Sequence, residues 1–211
     1  MLLGNDAAEG SDVKGIGDAD RVYLLLKDHM RRVREHFEVA KAPQRVVEQF
    51  AVPASFQGEL AGIWERYLAI ERALAADELE TAQRECAGLG SAVATVDDTS
   101  LTESTVREFW GREHANLEKL VDKLQQTGDI DAMREAFRPL SEEIGILAKA
   151  LGFGEAGPVY ELHCPMAFGG QGAIWYQADD AVRNPYYGAT MLKCADRVEK
   201  LEARASTVEA P

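Results

Sequence analysis

Five side chains in this sequence have the chemistry to hold a soft metal ion or to close a covalent bridge. They are His163, Cys164 and Met166 in "HCPM", and Met191 and Cys194 in "MLKC". Thiolate, thioether and imidazole are soft or borderline donors that favour Cu(I), Ag(I) or Zn over oxygen-loving ions. Cys164 and Met166 are two apart, so extended backbone points them the same way. Met191 and Cys194 are three apart, so on a helix they share a face. The two pairs then enclose one ion as a Cys2Met2 site, with His163 as an alternative donor. The other reading of the same residues is a disulfide between Cys164 and Cys194. With 29 residues between them, closure stabilises by roughly 3–4 kcal/mol on the loop-entropy model. Met166 and Met191 are then gap-filling core residues. A third reading joins the two: a redox-dependent site that takes metal only when reduced.

The segment that carries these donors differs from the rest of the chain. Residues 152–194 contain seven of the eighteen glycines, seven of the sixteen aromatics and two of the three cysteines. A spacer lacks such aromatics, so this segment is expected to fold back as an irregular, glycine- and aromatic-rich layer. Trp175, beside small residues in "GAIWYQ", is expected to cover the seam with the helices. In "RNPYYG", Asn184 before Pro185 is a turn-initiating pair that also suits a helix start. A final helix is therefore expected from about Pro185 to Ala203.

Upstream, the apolar residues recur at helical spacing. Residues 1–17 are a small, polar lead-in, and residues 18–53 hold a helix from Asp20 and a connection bracketed by Pro43 and Pro53. A domain over 54–205 follows. Phe56, Leu60, Ile63, Trp64 and Tyr67 line one helix, and Leu79, Ala82, Cys86, Leu89 and Val93 line the next, with Asp77 and Glu80 as a capping-box-like start. Val106, Trp110, Leu117 and Leu124 mark another, stopped near Gly128. Met133, Phe137, Leu140, Ile144 and Leu147 mark the next, with Pro139 placed to kink it. No sustained period-2 pattern is visible. The fold expected is all-α: an up-and-down antiparallel helix bundle.

A net charge of −13 repels phosphate and excludes nucleic acid as the expected partner, while attracting cations. No run of about 18 apolar residues spans a bilayer, and the N-terminal stretch lacks the pattern of a signal peptide. Nucleophile-elbow, phosphate-loop, zinc-protease and dinucleotide motifs are all missing, so a non-enzymatic role is expected. His29 and His36 stand two turns apart with no evident third ligand. His114, Trp64 and Trp110 read as packed residues, and Cys86 as a buried, inert thiol.

The stretch "VYELHCPMAFGGQGAIWYQADDAVRNPYYGATMLKCADRVEKL" resembles the C-terminal signature of an uncharacterised helical domain. That domain is found at the end of periplasmic adaptor (membrane-fusion) subunits of heavy-metal efflux pumps and as freestanding secreted proteins. The resemblance rests on Tyr160, Cys164, Pro165, Met166, Gly172, Ala173, Trp175, Asn184, Pro185, Tyr186, Tyr187, Gly188, Met191, Leu192 and Cys194. It covers about residues 54–200, specifically in its last third. It departs at Ala195, where the family has glycine. The resemblance implies a periplasmic or secreted protein linked to metal handling, with a metal ion, an efflux-pump adaptor or a metallochaperone as partner.

Overall fold

The chain divides into two units, residues 1–46 and 47–211. The computed structural model describes residues 47–207. The lead-in, the helix expected from Asp20, and His29 and His36 lie outside the described residues.

Four long helices build the core: α1 (Ala54–Ala75), α2 (Leu79–Ala94), α3 (Ser104–Gln125) and α4 (Ile130–Ala150). Each packs on the next in sequence, as short connections between amphipathic helices favour. The residues read as core stripes are those buried: Phe56, Leu60, Ile63, Trp64, Tyr67, Cys86, Leu89, Leu117, Leu124, Phe137 and Ile144. An aromatic stack from Phe153 through Trp64 and Tyr67 to Phe137, with centroids 5.1, 5.6 and 5.1 Å apart, ties α1 to α4. Asp129 caps α4 by accepting from the amide of Ala132, satisfying one of the helix's free N–H groups. The helix continues through Pro139.

The all-α expectation needs correction. The described residues are mostly helical but carry two small sheets. Strand β1 (Val52–Pro53) pairs in parallel with β5 (Ser206–Thr207). Strands β2 (Tyr160–Cys164), β3 (Ala173–Gln177) and β4 (Arg197–Lys200) form an antiparallel sheet in the order β3-β2-β4. Both β2 and β3 are covered on their two faces, so Leu162, Trp175, Tyr176 and even Glu161 are buried. A doubly covered strand shows no polar–apolar alternation, which is why period 2 is invisible in the sequence.

The expected final helix is also absent. Pro185 leads only into a 3-10 turn, Gly188–Thr190, and the chain then runs to β4. Asn184 explains this: its side chain accepts from the amide of Tyr186 at 2.9 Å and donates to the carbonyl of Cys194 at 2.9 Å. Gly188 takes a φ of +54°, which turns the backbone out of the right-handed helix. Met191 and Cys194 therefore share no helix face.

Candidate thiol site

Cys164 ends β2, and the turn of Asn184–Cys194 brings the second cysteine to it. Their sulfurs lie 3.1 Å apart. Cys164 is fully buried, whereas Cys194 is half-buried. The thiol of Cys194 is pushed up to about 11, first by its hydrogen bond with Cys164 and then by desolvation.

Register decides which other donors join them. Cys164 pairs with Ala173 and Leu162 with Trp175, whereas His163 pairs with Ile174 and Glu161 with Tyr176. Side chains alternate across a strand, so His163 stands on the opposite face of β2 from Cys164. There its Nδ1 lies 2.7 Å from the Asp196 carboxylate. Met166 is beyond the strand end with 52% of its surface exposed, and Met191 is half-buried after the 3-10 turn. The structure thus brings together Cys164 and Cys194, leaves Met166 at the rim, and turns His163 away. Among the described residues no group of three or more His, Cys, Asp or Glu is arranged to hold a metal ion.

The rest of the sequence signature holds the cysteines in place. Trp175 is fully buried, its indole N–H donating to Gln177 at 2.8 Å and its ring edge-on to Tyr186, 6.0 Å away. The Tyr186 hydroxyl donates to the carbonyl of Ile174, and that of Tyr187 to the carbonyl of Met166 at 2.6 Å. Arg134, on α4, donates to the carbonyls of Pro185 at 2.9 Å and Leu74 at 3.0 Å and to Asp77. Asp77 also accepts from the amide of Ala189. That amide bond, then the Arg134 guanidinium, holds its carboxyl below the usual range.

Two of these residues escaped the sequence reading. The pattern predicts a capping-box role for Asp77, but its carboxylate makes no cap and instead anchors the 188–189 turn; its φ of +61° is a conformation that sequence pattern does not announce. Glu161 is buried in an alternation that looked like none. It accepts from Lys149, Tyr176 and Arg197. Burial pushes its carboxyl up, but Lys149, Tyr176 and Arg197 together hold it below the usual value. Gly145 on α4 makes room for the Tyr176 hydroxyl, since any Cβ there would strike it.

His114 bonds the carbonyl of Val93 at 2.9 Å, and burial pushes the Cys86 thiol up to about 12. Both are packed residues. No helix among the described residues is long and apolar enough to cross a membrane.

Compared with known proteins, residues 63–155 match the model of a family described as "Protein of unknown function (DUF3347)". The match runs from within α1 through the end of α4 and stops before β2, so the cysteine-bearing sheet and turn lie outside it. No curated protein matches, and no solved structure matches.

Proposed function

We propose that this chain is a non-enzymatic interaction domain whose C-terminal sheet is fastened by a thiol clasp, Cys164–Cys194, closed as a disulfide in an oxidising compartment. The observation that carries this reading is the 3.1 Å contact between the two sulfurs. A disulfide needs about 2.05 Å, a closure of roughly 1 Å between one residue at a strand end and one on a turn. Tetrahedral ligation by two thiolates about 2.3 Å from one ion needs a separation of roughly 3.8 Å. A linear arrangement needs more still. Closing distorts the pair less than linear ligation does; tetrahedral ligation lies nearer in separation but needs two further donors, and the opposite-facing His163 does not supply one.

A non-enzymatic reading is supported by the same geometry. Reactive cysteines are activated by a neighbouring cation or histidine that depresses their pKa. Here the imidazole faces away, and the Cys194 thiol is shifted upward. Disulfides persist in periplasmic and secreted proteins, so this reading places the chain there.

One observation favours a second reading. Met166, a thioether with half its surface exposed, lies two residues from Cys164, and its backbone hydrogen-bonds the Cys194 sulfur. Reduced, the pair with Met166 and Met191 is the donor set that Cu(I) or Ag(I) selects, and the resemblance to efflux-linked domains supports a metallochaperone or adaptor as partner. The experiment that separates the two is titration with Ag(I) of the oxidised, reduced and alkylated protein. The clasp alone predicts that the reduced protein takes up Ag(I) only as free thiols do, equally in Met166→Leu and with no hold against excess glutathione. One equivalent retained by the reduced form against excess glutathione, and weakened by Met166→Leu and Cys164→Ser but not by Cys86→Ser, establishes the metal reading beside the clasp.

A further inference from the structure

We infer that the clasp is closed by a protein disulfide oxidoreductase of the Cys-X-X-Cys class, which enters through Cys194 and never through Cys164. This rests on the proposed clasp and adds its partner and its direction of attack.

The asymmetry of the two sulfurs carries the inference. Cys164 has no exposed surface, lying at the end of the central strand β2 opposite Ala173. Cys194 is only partly buried, on the turn that Asn184 holds. Thiol–disulfide exchange needs a sulfur to approach another directly, so access selects the residue that meets the partner. Met166 and Val198 are the exposed large apolar residues among those described. The Met166 backbone hydrogen-bonds the Cys194 thiol, and its carbonyl is held by the Tyr187 hydroxyl. An exposed methionine beside an accessible sulfur is an adaptable apolar footing for a protein, and offers nothing to a small hydrophilic disulfide such as oxidised glutathione.

The chemistry balances in two steps. The Cys194 thiol loses its proton to solvent and its sulfur attacks the partner's disulfide. An S–S bond forms between Cys194 and the partner, and the partner's second sulfur leaves as a thiolate. Cys164, already 3.1 Å away, then gives up its proton and attacks Cys194. The mixed disulfide breaks, the Cys164–Cys194 bond forms, and the partner's first sulfur leaves as a thiolate. Two electrons pass from the clasp to the partner, whose disulfide is reduced to a dithiol. Cys164 needs no access to solvent for its part, because its target is delivered to it.

Three arms test this on the whole chain. In the reduced wild type, limiting iodoacetamide followed by peptide mapping should label Cys194 at least about tenfold faster than Cys164. With an oxidised thioredoxin-fold Cys-X-X-Cys protein as probe, Cys164→Ser should accumulate a reductant-sensitive mixed disulfide at Cys194, while Cys194→Ser should not. Wild-type clasp closure should be at least about tenfold faster with that probe than with oxidised glutathione at the same disulfide concentration. The inference is overturned by labelling that favours Cys164, by a mixed disulfide on Cys164, or by equal rates with the two oxidants. The wild-type arms do not depend on either variant folding. If the wild type forms no intramolecular disulfide with any oxidant, the clasp itself fails, and that outcome is distinct from a clasp that closes by another route.

Discussion

The helical half and the C-terminal sheet of this domain are held by different forces. In α1–α4 apolar stripes and stacked rings make up most of the core, with few buried polar contacts such as that of Tyr67 with Ser141. That half even tolerates Glu71, fully buried on α1 with neither carboxylate oxygen hydrogen-bonded among the described residues. In residues 160–200 the buried polar side chains Glu161, Gln177 and Asn184 are each hydrogen-bonded. The segment shares the apolar core of the helices through Leu162, Trp175 and Tyr186, and is registered on them by single placed atoms: Arg134 on Pro185, Asp77 on Ala189, Tyr176 over Gly145. Burial by area forgives substitution when volume is kept; anchoring by specific atoms does not.

The largest effect expected is at Trp175, where the two modes meet. Trp175→Ala should cost about 3–5 kcal/mol, read as a lower urea midpoint. An unchanged midpoint would remove the ring from the core. Next comes a contrast of glycines. An alanine Cβ at Gly188 would run into Asp77 and Arg134 in a backbone conformation of φ +54°, so Gly188→Ala should cost roughly 3 kcal/mol or more. Gly58 and Gly62, within α1, have nothing within 4 Å of such a Cβ. There, alanine should stabilise by about 0.5–1 kcal/mol. Equal losses at the two kinds of position would break the comparison. Asn184→Ala follows, at about 2 kcal/mol, since it orphans the Cys194 carbonyl and the Tyr186 amide.

A further contrast is in pH dependence, whose sign differs between the halves. Burial pushes Glu71 from 4.5 up to about 8, with Arg183 and Arg72 opposing and Asp179 adding to the shift. Between those values the unfolded chain has lost a proton that the folded chain keeps, so stability falls as pH rises. Glu161 is held low, so its contribution is present above the ordinary carboxyl value and is lost as pH falls through its native one. Glu71→Gln should therefore raise the melting temperature near pH 8 and flatten its decline from pH 5, leaving the acid limb intact. A decline as steep in the variant as in the wild type would mean Glu71 has a charged partner.

The same contrast explains what the sequence reveals. Helix stripes such as Phe56–Leu60–Ile63–Tyr67 repeat a period that any reader can find, and α1–α4 lie within a few residues of where that period puts them. The concentration of donors between His163 and Cys194 is also legible, as is the likeness of "NPYYG" to a turn. What could not be read is long-range: that Asp77 would hold Ala189, that register would put His163 and Cys164 on opposite faces, and that Asn184 would fold back onto Cys194 instead of starting a helix. A one-residue parity along a strand separates a ligand from a bystander, and parity is fixed only by pairing partners far away in the chain.

The clasp itself is the central claim, and intact mass spectrometry of the native protein, purified without reductant and then reduced, tests it most directly. The oxidised protein should be two hydrogens lighter than the reduced one. Its digest should contain a single cross-linked pair joining the peptides of Cys164 and Cys194, with Cys86 recovered free. Identical masses before and after reduction under an oxidising glutathione buffer, or a cross-link that includes Cys86, would contradict it.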